Sequence, residues 1–210
     1  MPVDFGVLLA FVGTVLFLVL SPGPDTILIL RYTAGSGRSV GLAAVAGVQL
    51  GLAVHTLAAA VGLSLVIAAS PTALAVVAGL GALYLGWLGI QSFRAGMTPI
   101  GRIEGAARVT GGKACRDALL TNLLNPKVLL LFFALMPQFV VAGRSPVPLQ
   151  LGALGAVLIL VNTVWQSVLV RAADQFRSLL GSPAVQRVVS ILTGTVLVAF
   201  ALLLVRDYLT

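Results

Sequence analysis

The chain has 210 residues, of which 59% are hydrophobic and only 9% are charged. An ordinary water-soluble domain carries about a quarter charged residues, so this composition excludes a soluble globular protein. The formal net charge of +7 comes mostly from basic residues between apolar runs. Such a distribution is typical of topology signals in a membrane protein, and it argues against a nucleic-acid partner.

Six apolar runs follow one another along the sequence, and each is long enough to cross a bilayer as a helix. Barrel strands would alternate apolar and polar residues, which these runs do not, so helices are the expected form. The runs are Phe5–Leu30 (interrupted at Ser21–Asp25), Val40–Ala69, Thr72–Phe93, Ala118–Val141, Leu149–Val170 and Val188–Val205. The sequence therefore predicts an all-α, polytopic membrane protein with six transmembrane helices, in a single domain covering residues 1–210.

A basic, glycine-containing segment, residues 94–117, separates the third and fourth runs. This composition predicts a flexible loop that joins two halves, residues 1–93 and 118–210. Most lysine and arginine residues lie in the odd-numbered connections, so those connections should be cytoplasmic and both termini extracytoplasmic. Three helices in each half place the halves in opposite orientations, which predicts an inverted repeat.

Helix breakers followed by an ionisable residue occur at corresponding places in the two halves. Proline removes a backbone donor and clashes with the preceding turn, so the first and fourth helices should be broken or kinked. The breakers are Pro22, Gly23 and Pro24 in the first half and Pro126 in the second, followed by Asp25 and Lys127. Paired broken helices in inverted halves favour a transporter's binding site, although a single proline often only bends a membrane helix.

Asp25 and Lys127 each cost about 2.5–3.5 kcal/mol at the centre of a bilayer, so both should face the protein interior or water. An amino acid carries the same two opposite charges, and the pair is therefore suited to its ammonium and carboxylate groups. Two other interpretations stay open. The residues could form a structural ion pair, or Asp25 could lie at the cytoplasmic interface near Arg31.

The remaining polar residues within the runs are one histidine and several amides. His55, near the middle of the second run, is suited to proton exchange near neutral pH, or else to hydrogen-bonded packing. Asn122 and Asn125 are three residues apart, Asn162 and Gln166 are four apart, and each pair should share one helix face. Such amides bind substrates in some membrane proteins and join helices in others.

Together these segments resemble the LysE/RhtB family of amino-acid exporters. The similarity covers both halves in the family's order. The matching segments are Ser21-Pro22-Gly23-Pro24-Asp25, Gly41–Gly62 with His55, Gly81–Gly89, Asn125-Pro126-Lys127 and Pro137-Gln138-Phe139-Val140.

The resemblance implies a secondary exporter in the cytoplasmic membrane, driven by the proton or another ion gradient, with no ATPase and no cofactor. It also implies that Pro22, Gly23, Pro24, Asp25, Asn125, Pro126 and Lys127 line the transport pathway. Asp25 stands where many homoserine/threonine-type members have asparagine. This departure leaves open whether the site prefers a cationic substrate or uses Asp25 to carry a proton.

Two other functions compete with transport of an amino acid. A passive channel would show no coupling to a gradient. An intramembrane enzyme would need a nucleophile and a base, and Ser36 with His55 is only a fragment of such a pair. One histidine and one cysteine do not make a metal site. We therefore expect a protein that is not an enzyme, and its small-residue stripes permit a homodimer without requiring one.

Overall fold

A computed structural model describes residues 3–20, 23–63, 76, 79–80, 82–83, 86–87, 89–91, 93–94, 108–173 and 182–209. Within these residues every regular element is helical. The helices are α1 Phe5–Leu20, α2 Pro24–Ser36, α3 Arg38–Ala58, α4 Gly111–Leu123, α5 Pro126–Leu130, α6 Val147–Arg171 and α7 Pro183–Leu209. A π-helical turn, Ala59–Leu63, continues α3, and a π turn with a 3₁₀ turn, Leu131–Leu135 and Met136–Phe139, continues α5.

Two continuous helices among the described residues are long and apolar enough to cross a membrane, namely Arg38–Gly62 and Val147–Arg171. Two bent pairs pass the same test, which gives up to four spans. In the first, Phe5–Leu20 and Pro24–Ser36 meet at 54°, and in the second, Gly111–Leu123 and Lys127–Phe139 meet at 58°. The third predicted span is only partly described, and its described positions are helical. The sixth lies within the 27-residue α7.

Both breaks restart at a proline. Pro24 begins α2 after Gly23, and Pro126 begins α5 after Asn125. The first position of a helix tolerates proline because the missing N–H would have no intrahelical partner there. The sequence predicted a broken or kinked helix at Pro126, and the structure has an interruption at Leu124 and Asn125.

Three predicted boundaries differ from the structure. Helix α2 continues to Ser36, and α3 begins at Arg38, so Arg31 and Arg38 are helical rather than in a connection. Gly37 alone makes the turn, with φ +91°, a conformation that favours glycine. Helix α4 begins at Gly111, so residues 111–117 of the predicted loop are helical. The hydroxyl of Thr110 caps this helix by accepting from the backbone N–H of Lys113 at 3.3 Å.

The packing places polar groups inside and apolar groups outside. Leu149 and Leu160 are 59% and 64% exposed, whereas Asn122 and Gln150 are fully buried. This arrangement suits a lipid environment, where apolar surfaces face acyl chains and amides pair between helices.

Helix α3 packs against α2, α4 and α6 and so forms the centre of the described structure. Gln150 bonds the backbone of Val141 and Ser145 and holds the turn before α6.

Candidate functional site

A cavity of about 60 Å³ lies where the two broken helices meet α3 and α6. Its wall is partly apolar and partly polar, and Asp25 and Lys127 are the charged residues in it. A cavity of this size suits a small polar molecule. The lining residues are Leu18, Val19, Gly23, Asp25, Thr26, Leu52, Asn122, Asn125, Lys127, Val128, Leu131, Leu158, Asn162 and Gln166.

Asp25 lies in the first turn of α2, and its side chain reaches the break of the other half. Its Oδ2 atom accepts hydrogen bonds from Asn122 Nδ2 at 2.9 Å and from Asn125 Nδ2 at 3.1 Å. Asn122 lies in the last turn of α4 and Asn125 lies in the second break, so the two amides do not share one continuous helix face. Asp25 is 8% exposed, and its other oxygen, Oδ1, is buried and has no hydrogen-bond partner among the residues that the structure describes.

A buried carboxylate oxygen that lacks a donor is costly, and most such atoms in proteins have a partner. Because Asp25 also lines the cavity, Oδ1 is suited to receive a donor from a bound molecule. An ammonium group carries three such donors and the opposite charge.

Lys127 makes the reverse connection, from the second break to the first. Its ammonium donates to the backbone carbonyl of Leu18, in the last turn of α1. A helix that ends inside a protein leaves its last carbonyls without partners, and a cation there is stabilising. The lysine chain passes Gly23, where an added Cβ would lie 3.9 Å from Lys127 Cδ. Each break is therefore contacted by the ionisable residue of the other.

Asn125 has two functions at the second break. Its Oδ1 atom accepts from the backbone N–H of Lys127 at 3.0 Å and caps α5, while its Nδ2 atom serves Asp25. The side chain of Asn122 is also constrained by α3, because a Cβ on Gly51 of α3 would overlap it. Glycine at position 51 lets α3 approach the break closely enough to fix Asn122.

His55 lies in the last turn of α3 and is 8% exposed. Its Nε2 atom is 3.4 Å from the carbonyl oxygen of Asn122, and its ring stacks on Phe132 with centroids 5.5 Å apart. His55 does not line the cavity itself. His55 contacts the backbone of Asn122, and the side chain of Asn122 binds Asp25. Asn122 therefore lies between His55 and the carboxylate of Asp25.

A second polar group lies on α3 and α6. Gln49 Nε2 donates to Gln166 Oε1 at 2.9 Å, and Asn162 Nδ2 approaches Gln49 Oε1 at 3.5 Å. Asn162 and Gln166 share one face of α6, as their spacing predicted, and both line the cavity. We call Gln49, Asn162 and Gln166 the amide relay.

The structure therefore brings most of the predicted site residues together. Gly23, Asp25, Asn122, Asn125, Lys127, Asn162 and Gln166 line one cavity, and Pro24 and Pro126 start the two helices that border it. Pro22 lies outside the described residues. Sequence reasoning missed Thr26 and Gln49. The signal for Gln49 was a lone amide in an apolar helix, between Gly47 and Gly51, where polar residues are usually functional.

A helical protein with an apolar exterior, two interrupted spans and a buried charged cavity between them belongs to the class of membrane transport proteins. Comparison with known sequences defines it further. The chain belongs to the LysE type translocator family, whose pattern it matches over residues 16–208. The sequence resemblance noted above is thereby confirmed.

Three relatives illustrate the range of the family. An uncharacterised membrane protein of Bacillus subtilis, YrhP, is 32% identical over 93% of this chain and 96% of its own length. The homoserine/homoserine lactone efflux protein of Salmonella typhimurium is 34% identical over 74% of both chains. The leucine efflux protein of the same species is 29% identical over 89% of this chain and 88% of its own. No solved structure matches the chain.

Proposed function

We propose that this protein is a secondary active transporter that exports amino acids, or related small zwitterionic metabolites, across the cytoplasmic membrane. The observation that carries the proposal is the pair of opposite charges, Asp25 and Lys127, in one cavity between two broken helices. Two relatives named as efflux proteins for homoserine and leucine support amino acids as the substrate class.

In this proposal the substrate's ammonium binds the Oδ1 atom of Asp25, which has no hydrogen-bond partner among the described residues. The two amides on Oδ2 hold the carboxylate in place and leave Oδ1 available to the ligand. The substrate's carboxylate binds the ammonium of Lys127, which lies close enough to Asp25 to interact with it electrostatically. A zwitterion then exchanges its hydration for two charge-assisted contacts in a site of low dielectric.

Alternating access follows from the positions of these contacts. Each charge connects one broken helix to the other, so substrate that competes for Asp25 or Lys127 also weakens a contact between the halves. Transporters built from inverted repeats move one unit against the other around a central site. The two bends of 54° and 58° and the proline at the start of each second segment support such a repeat. The six apolar runs of the sequence support six helices in total.

We assign coupling to the proton gradient. Asp25 and His55 are the groups at or next to the cavity that exchange protons, and Asn122 contacts both. The excess of basic residues in the odd-numbered connections supports cytoplasmic placement of those connections, with both termini outside.

Counterflow in proteoliposomes tests the proposal. Vesicles containing the purified protein are loaded with one unlabelled amino acid at a time, and uptake of the same labelled compound is followed. We expect saturable exchange for a narrow set of amino acids. Labelled uptake that neither saturates nor depends on the internal load would establish a passive channel instead. No exchange for any amino acid, from protein shown to be folded, would refute the substrate class.

A further inference from the structure

Two residues that line the cavity each have a buried oxygen atom that receives no hydrogen bond within the described part of the chain. The atoms are Asp25 Oδ1 and Asn122 Oδ1. The two residues are 8% and 0% exposed. The proposed function gives a donor to the oxygen of Asp25 but none to that of Asn122. Because most buried acceptors in proteins are paired, the oxygen of Asn122 also indicates a donor that arrives with a ligand.

The orientation of the Asn122 amide follows from its bond to Asp25. Asn122 Nδ2 donates to Asp25 Oδ2 at 2.9 Å. Turning the amide over would place two acceptor oxygens against each other, so the oxygen is the atom left over. His55 Nε2 approaches the backbone carbonyl of Asn122, at 3.4 Å, rather than the side-chain oxygen. Gly51 has no side chain to cover that oxygen, and an added Cβ would overlap it.

Asn125 differs from Asn122 in this one respect. Its Nδ2 atom also donates to Asp25 Oδ2, at 3.1 Å. Its oxygen, however, accepts from the backbone N–H of Lys127 at 3.0 Å and is used to cap α5. The two amides therefore hold the same carboxylate atom, but only Asn122 adds an unpaired acceptor beside it.

The chemistry of the two unpaired oxygens selects the group that they bind. Their side chains are joined by a hydrogen bond of 2.9 Å, which makes the two oxygens near neighbours. A positively charged group with at least two N–H donors can pair both of them at once. A primary ammonium has three such donors, whereas a quaternary ammonium has the charge and no donor.

We infer that Asn122 Oδ1 is a second acceptor for the substrate's ammonium, beside Asp25 Oδ1, and that the protein selects amino acids whose amine carries at least two N–H groups. This inference rests on the proposed function. It makes Asn122 a specificity-determining residue, and it excludes zwitterions with a fully methylated amine, such as betaines, from the substrates.

The test uses four competitors of labelled exchange in proteoliposomes. They are leucine and its N-methyl, N,N-dimethyl and N,N,N-trimethyl derivatives, or the same series on another amino acid that shows counterflow. All four keep the positive charge, while each methyl group removes one N–H donor. We expect the first two to compete within about threefold of each other. The N,N-dimethyl form should be at least about tenfold weaker, because one N–H cannot serve two oxygens.

An effect of size alone has a different pattern, since it would begin with the first methyl group and increase with each one. Asn122→Leu separates the two effects, because leucine lacks the acceptor and is no smaller than asparagine. We expect the N,N-dimethyl form to compete with this variant within about threefold of leucine. The N,N,N-trimethyl form should stay weak, because Asp25 Oδ1 still needs one N–H donor.

Asn125→Leu is the matched comparison. It removes the other donor to Asp25 Oδ2 without removing an unpaired oxygen. We expect slower exchange, with the loss of competition still at the second methyl group. If Asn122→Leu gives that same pattern, Asn122 only holds Asp25 in place and the inference is wrong.

The series on the unaltered protein tests the inference even if Asn122→Leu fails to fold. A loss at the second methyl group supports it. Equal competition by the N,N-dimethyl form, or a loss that begins at the first methyl group, overturns it while amino-acid exchange stands. Exchange of no amino acid at all would instead refute the proposed function.

Discussion

The two helix breaks have similar backbone geometry but carry side chains of opposite charge. Each restarts at a proline, and the bends differ by only a few degrees, at 54° and 58°. Gly23 precedes the first restart without a side-chain cap, whereas Asn125 caps the second. An acid follows one proline and a base the other, and each reaches the opposite break. Two helix breaks with the same backbone geometry therefore carry opposite charges, because a different residue follows the proline in each.

Among the substitutions at the two breaks, Asp25→Asn should reduce exchange most. The change removes the charge that pairs with an ammonium and weakens the acceptor used by Asn122 and Asn125, each such bond contributing about 1.5–3 kcal/mol. We expect exchange in proteoliposomes to fall by at least about 100-fold, with the protein still in the membrane. Asp4→Asn is the control, since Asp4 makes an exposed ion pair with Arg144 at 3.1 Å. Normal exchange by Asp25→Asn would exclude it from the site.

Lys127→Met should have the next largest effect. It removes the cation that caps α1 at Leu18 and binds the substrate carboxylate, while the alkyl part of the side chain is kept. We expect kcat/KM for exchange to fall by about 10- to 100-fold. Lys113 is the other lysine of the chain and is half exposed, so Lys113→Met is a matched control that should keep exchange. Equal losses in both variants would contradict a specific role for Lys127.

His55→Gln separates coupling from binding. Glutamine keeps a hydrogen bond to the carbonyl of Asn122 but does not carry a proton in this pH range. We expect counterflow exchange to continue at a similar rate, while substrate accumulation driven by an imposed pH gradient falls at least about fivefold. Full gradient-driven accumulation by the variant would make His55 a packing residue against Phe132.

Gly51→Ala tests whether α3 fixes the second break. The added methyl group would overlap the side chain of Asn122 and displace it from Asp25. We expect KM for exchange to rise by roughly three- to tenfold. Gly152→Ala provides the comparison, because a Cβ at position 152 meets nothing within 4 Å. An unchanged KM in Gly51→Ala would show that Asn122 is not positioned from α3.

Tyr32→Phe should have the smallest effect and should act on stability alone. Tyr32 donates to Asp117 Oδ2 at 2.7 Å and joins α2 to α4 at the end remote from the breaks. Because the acceptor is a carboxylate, the loss of this bond should lower the free energy of unfolding by about 1.5–3 kcal/mol. A drop in Tm by a few degrees with unchanged exchange is the expected result. Reduced exchange would show that this end of the molecule also participates in transport.

Sequence reasoning located the breaks because proline and glycine act through local backbone geometry. It also identified Asp25 and Lys127, since ionisable residues stand out within apolar runs. It did not predict that each charge contacts the opposite break, because this contact depends on how two distant helix ends meet. The bond between Asp25 and Asn122 joins residues 97 positions apart.

Other features of the structure were not predicted from the sequence, for different reasons. The sequence did not predict the start of α4 at Gly111, because its first turns are basic and glycine-rich, a composition typical of a loop. Gln49 was not predicted because close packing is a sufficient explanation for the glycines on either side of it. Both glycines do pack tightly: a Cβ on Gly47 would overlap the backbone of Cys115, and a Cβ on Gly51 would overlap the side chain of Asn122. The partners of Gln49 lie 113 and 117 positions away, which no local pattern reveals.

The central claim is that Asp25 and Lys127 together bind the two charges of an amino acid. The most direct measurement is competition against labelled exchange by three compounds that share one side chain: the amino acid, the matching 2-hydroxy acid without the ammonium, and the matching amine without the carboxylate. We expect only the amino acid to compete at low concentration, with the other two weaker by at least about tenfold. Equal competition by the hydroxy acid or by the amine would contradict the claim, because one of the two charges would then have no function in binding.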